Sequence, residues 1–115
     1  MINEGQIVLF RFPQTGHEKG KLRPALIIRK LPGKYEDWLI CMISSQIHQC
    51  VPDFDILMTP EISNFTQTGL KLPSVIRIGR LAVVDKGILL GKIGSINNQL
   101  LDIIKARLSH WLLGA

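Results

Sequence analysis

A chain of 115 residues, 46% of them apolar, is long enough for one core and too short for two, so one domain spanning residues 1–115 is expected. With 20% charged residues, 6 prolines, two cysteines outside any CxxC or histidine-spaced pattern and no apolar run near the ~20 residues of a bilayer span, disorder, a disulfide scaffold, a zinc site and a membrane helix are excluded. The formal charge of +5 lies in blocks, +5 over residues 1–34, −5 over residues 35–70 and +5 over residues 71–115, which excludes an even spread of charge along the chain.

Gln6–Phe12 (QIVLFRF) is β-branched and aromatic and stops at Pro13, which reads as a first strand. The polar, glycine-containing stretch PQTGHEKGKL is long for a hairpin turn and carries the signature of a functional loop. Arg23–Arg29 (RPALIIR) is a second strand, with Pro24 confined to its start or to an edge because it cannot donate to a ladder. After the turn LPGKYED, Trp38–Ser44 (WLICMIS) is a continuous apolar run of strand length, expected to be buried. Asp53–Met58 (DFDILM) reads as a short strand, and Pro60 to Pro73 as loop with a turn of helix.

Ser74–Val84 (SVIRIGRLAVV) is a fifth strand that bends at Gly79, where a glycine signals a bulge or a close backbone approach. Ile88–Ile93 is a further short strand or a helical turn, and Gly94 separates it from a helix over Asn98–Leu113. There Leu100, Ile104, Leu108 and Trp111 or Leu112 recur at helical spacing, while Asp102, Lys105 and Arg107 lie off that stripe. Asn97 is its expected N-cap, with Ile96 and Leu101 spaced as a hydrophobic staple. Trp38 and Trp111 are expected in the core or a dimer interface, with no aromatic series to stack bases. These elements predict a mainly β fold, a small bent antiparallel sheet or partly closed barrel with a C-terminal helix packed on it.

The N-terminus MINEGQIVLF lacks a basic segment followed by a hydrophobic one, and the cysteines suit a reducing compartment, so a soluble cytoplasmic protein is expected. If the basic outer thirds meet in the fold, they form a surface that attracts a polyanion, nucleic acid foremost. Charge alone fits a scattered, solvated basic surface equally well.

The ordered series TGHEKGKLRPALII, ICMISS and PSVIRIGRLAVVDKGIL, followed by an amphipathic helix, resembles the MazF/PemK/Kid toxin family over essentially the whole chain. That resemblance implies a homodimeric, SH3-like, partly closed antiparallel barrel of the CcdB/PemK type, without a metal or other cofactor. It implies the toxin of a type II toxin–antitoxin pair, an endoribonuclease that cuts single-stranded RNA at short sequences and is held by an acidic antitoxin protein. Residue by residue it implies catalytic roles for Arg23, Ser44 and His17, with RNA contacts from Thr15, Glu18, Lys19, Lys21, Ser45, Gln46, Arg77 and Arg80. Gly79 departs from members that carry an aspartate two residues after the arginine matched by Arg77. Asp85 matches a structural aspartate of the (V/I)DK turn.

The chemistry suits these residue types. An arginine offers forked, permanently charged donors to a phosphoryl group, a hydroxyl at Ser44 can hold a phosphate oxygen, and His17 titrates near neutrality. Without the family pattern, each has a bland reading: Arg23 as a solvated edge residue, Ser44 and Ser45 as a strand end, His17 as an exposed loop residue. Two other functions fit the same fold, a non-enzymatic toxin of the gyrase-poisoning kind and a nucleic-acid-binding relative without activity.

Overall fold

The computed structural model describes residues 1–11 and 21–114. Among these residues six strands form one sheet: β1 (Gln6–Arg11), β2 (Leu22–Lys30), β3 (Asp37–Ser44), β4 (Ile56–Met58), β5 (Ser74–Asp85) and β6 (Leu89–Ser95), followed by helix α1 (Asn98–Leu112). The order across the sheet is β4-β5-β3-β2-β1-β6, every neighbouring pair antiparallel. The edge strands β4 and β6 do not pair, so the bent sheet is not fully closed. This is the fold class the sequence predicts.

Alternation along the strands sorts the core into two faces. Leu26, Ile28, Cys41 and Ile43 enter a cluster with Leu101, Ile104 and Leu108 of α1. Ala25, Ile27, Trp38 and Ile40 enter a second cluster with Val8 and Phe10. The central strand β3 is therefore covered on both faces, which is why its sequence is apolar at nearly every position.

Asn97 caps α1, its Oδ1 accepting the Leu100 N–H at 2.8 Å, and the staple residues Ile96 and Leu101 are both buried. The apolar stripe differs at both ends from the expected one. Leu101 rather than Leu100 is its first buried residue, and Trp111 and Leu112 are 55% and 66% exposed because the cluster beneath the helix ends at Leu108. Trp111 leaves the core and rests near Phe54, ring centroids 6.2 Å apart.

Two further expectations are corrected. The strand expected over Asp53–Met58 is only Ile56–Met58, because Asp53 turns the chain with a φ of 66° and Asp55 accepts the N–H of Val51. Gly94 lies inside β6 rather than after it, since a 3-10 turn at Thr66–Thr68 packs directly on that strand. The bend in β5 is observed as expected. Its pairing with β3 jumps from Cys41↔Leu81 to Met42↔Arg77, so Ile78, Gly79 and Arg80 form a bulge.

Both cysteines are free thiols. Burial, reinforced by the negative charge of Asp55, pushes the Cys41 thiol from 9.0 up to about 12. A raised folded-state value means that its contribution to stability is complete below pH 9.0 and is lost as pH climbs toward about 12. The denaturation midpoint of wild type is therefore expected to fall more steeply above pH 9.0 than that of Cys41→Ala. Parallel profiles would show that the thiol ionises freely in the folded protein.

Candidate functional site

Pairing between β2 and β3 begins at Ala25↔Met42, one residue after Pro24. Proline has no N–H to extend that ladder, whereas β3 continues to pair with β5 through Ile43 and Ser44. The two strands part here. A cavity of about 300 Å³ opens between them, lined by Arg23, Met42, Ser44, Gln46, Gln49, Arg77 and Arg80. A second cavity, of about 620 Å³, shares Arg23, Ser44 and Gln46 and extends over Lys21, Ser45, Leu70, Lys71 and Leu72, with Leu9 and Ile93 among its apolar lining. Arg23 and Ser44 thus stand on a wall common to both. By strand alternation they belong to the face opposite α1, with Ala25, Ile27 and Ile40.

The Ser44 Oγ accepts the Gln46 N–H at 3.0 Å, which fixes the chain as it leaves β3 and leaves the hydroxyl hydrogen free to donate. Arg77 is held more firmly. Its Nε lies 3.3 Å from Oδ2 of Asp55, and its Nη1 donates to Gln49 Oε1 at 2.8 Å. Asp55 also accepts the N–H groups of Val51 and Ile78, each at 3.0 Å. From α1, Arg107 Nη1 donates to the carbonyls of Phe54 and Asp55, both at 3.0 Å, and so fastens the same loop. Among the described residues no ion pair neutralises Arg23 or Arg80. Among the described residues, three guanidinium groups against one buried carboxylate make the first cavity positive, suited to an anion.

The basic outer thirds do meet, Lys21 and Arg23 from one and Lys71, Arg77 and Arg80 from the other. Among the residues singled out from sequence, Arg23, Ser44, Gln46, Arg77 and Arg80 line the first cavity, and Lys21 and Ser45 line the second. Thr15, His17, Glu18 and Lys19 lie outside the described residues. Sequence reasoning missed Asp55, Gln49 and Lys71. Asp55 had only its acidity within a short apolar stretch to mark it, and nothing local ties it to Arg77. Gly79 makes room for a ring, since a Cβ there would lie 3.3 Å from Phe54 Cε2. Asp85 accepts the Gly87 N–H at 2.8 Å and pairs with Asp37, at the end of β3 away from Ser44. Among the described residues no three His, Cys, Asp or Glu side chains gather as a metal-binding group, and no helix is long and apolar enough to cross a membrane.

The family model for the PemK-like, MazF-like toxin of type II toxin–antitoxin systems matches residues 3–112. The chain belongs to this toxin family. Among solved structures, MazF from Deinococcus radiodurans (form I) is 20% identical with a TM-score of 0.67, covering 99% of this chain and 97% of that one. The MazE–MazF structure (form II) from the same organism is 22% identical with a TM-score of 0.71, covering 98% and 96%. The Mycobacterium tuberculosis toxin MazF-mt6 is 14% identical with a TM-score of 0.65, covering 93% and 95%. At these identities the likeness shows a MazF-like fold. No curated protein matches the sequence.

Proposed function

We propose that this MazF-like toxin is a sequence-specific, ribosome-independent endoribonuclease that cuts single-stranded RNA without a metal ion. One observation carries the reading: Arg23 and Ser44 share the wall between two cavities, the first of which also receives Arg77 and Arg80. A phosphodiester seated on that wall has room for a flanking nucleoside on each side. The 2′-oxygen attacks phosphorus as the bond to the 5′-oxygen breaks, leaving a 2′,3′-cyclic phosphate and a 5′-hydroxyl. Arg23 stabilises the negative charge that accumulates on the phosphoryl oxygens, and the Ser44 hydroxyl donates to one of them. His17 is assigned the proton transfer, taking the proton of the 2′-hydroxyl and returning one to the leaving 5′-oxygen, because an imidazole titrates near neutral pH. The protein acts in the cytoplasm as a homodimer and is neutralised by an acidic antitoxin. The positive cavity and the fold likeness to a MazE–MazF structure support that partner.

The test is a long single-stranded RNA incubated with the protein in EDTA beside a matched DNA, with the fragment ends mapped. Cleavage of RNA alone, at a recurrent short sequence and with cyclic-phosphate ends, is expected. RNA that binds and stays whole would point to a relative without activity. Neither binding nor cutting would turn attention to a protein target.

Ser44 supplies a finer check. Ser44→Thr keeps the hydroxyl and the acceptor for the Gln46 N–H, so it is expected to remain active, whereas Ser44→Ala loses roughly tenfold or more in rate. Equal rates for wild type and both variants would make Ser44 a strand end and nothing more.

A further inference from the structure

We infer that Asp55 is a positioning residue of this site: buried beside the first cavity, it holds the Arg77 guanidinium in place to receive a phosphate without touching the substrate itself. The identity of that anion as an RNA phosphate rests on the ribonuclease reading above.

The cause lies in the bulge of β5. Ile78, Gly79 and Arg80 have no partner in the register with β3, and a buried N–H without a ladder partner needs another acceptor. For Ile78 that acceptor is Asp55 Oδ1, at 3.0 Å. The other oxygen accepts the Val51 N–H at 3.0 Å and faces Arg77 Nε at 3.3 Å. With these donors around it and its side chain 2% exposed, the carboxylate is walled off from RNA and cannot serve as a base toward it.

Arg77 is 22% exposed at its side chain and lines the cavity, so it reaches solvent where the carboxylate does not. Its Nε goes to Asp55 and its Nη1 to Gln49, while Nη2 makes no hydrogen bond among the described residues and is left for an anion. The loop that carries Asp55 is itself fixed. Arg107 binds the Phe54 and Asp55 carbonyls, and the Phe54 ring fills the space that Gly79 leaves open. A guanidinium tethered before the substrate arrives need not reorganise when charge develops on the phosphate.

The test is a double-mutant cycle of Asp55→Asn and Arg77→Ala, read on kcat and KM for RNA cleavage and on urea unfolding of the same four proteins. Asp55→Asn is expected to lower kcat/KM roughly tenfold in the wild-type background and to add nothing in the Arg77→Ala background, while lowering the unfolding midpoint in both. An equal loss of activity in both backgrounds overturns the inference. A second readout needs no cleavage. The Arg77 Nε–H resonance is expected to be protected from exchange in wild type and exposed in Asp55→Asn. RNA left uncut by a wild type with that protected resonance removes the ribonuclease reading and leaves the positioning intact. An unprotected resonance in wild type removes the positioning, whatever cleavage shows.

Discussion

Arg23→Ala is expected to fold like wild type and to cut RNA at least about a hundredfold more slowly. Arg23 is exposed, it is the second residue of β2, where that strand pairs only with β1, and among the described residues it makes no ion pair. Its removal leaves no buried partner unsatisfied, so the stability change should stay within about 0.5 kcal/mol. Its loss at the reacting phosphate is another matter. A forked, charged donor aimed at an oxygen that gains charge in the transition state acts where preorganised electrostatics contribute most to rate. Arg23→Lys keeps the charge without the fork and should fall between the two. The measurement is the single-turnover rate on one RNA, beside urea unfolding of each variant. An Arg23→Ala protein that cuts at near wild-type rate would falsify the assignment of the site.

Gly94→Ala is expected to destabilise the fold by roughly 3 kcal/mol, a large effect on stability for a change of one carbon. A Cβ at Gly94 would lie 2.3 Å from both the carbonyl carbon and the oxygen of Thr68 and 2.4 Å from the Gln67 oxygen. These are backbone atoms of the turn that packs on β6, so they yield only if the turn lifts away. Gly69 shows the same approach from the other side, with a φ of +73° and a Cβ that would fall 2.1 Å from the Ile93 oxygen. The chain after this turn, from Gly69 to Leu72, lines the second cavity, so Gly94→Ala should weaken RNA binding as well as stability. Gly91→Ala is the control in the same strand, because among the described residues nothing lies within 4 Å of its added carbon. Unfolding midpoints equally shifted in the two variants would mean that the close approach does not matter.

Much of this protein is determined by patterns that repeat over a few residues. The apolar runs in RPALIIR and WLICMIS mark two buried strands of a sheet, and helical spacing with Asn97 as cap locates α1 and its start. Pro24 marks where the β2–β3 ladder ends, and with it the mouth of the cavity. The order of the family motifs singles out Arg23, Ser44, Arg77 and Arg80, which the fold brings to that cavity. Such signals are legible because a residue's partition between water and core, or its ability to donate a backbone hydrogen bond, acts locally and recurs with the period of the element.

What the tertiary structure alone decides are contacts between segments far apart in the chain. Asp55 meets Arg77 across 22 residues, and Arg107 reaches the same loop from the C-terminal helix. Gly94 and Gly69 are glycines because two backbones touch, and Trp111 is exposed because the cluster below its helix stops at Leu108. No periodicity encodes these pairings. They follow from the path of the folded chain, in which a buried N–H left over by a strand bulge draws in whichever acceptor the neighbouring loop can supply.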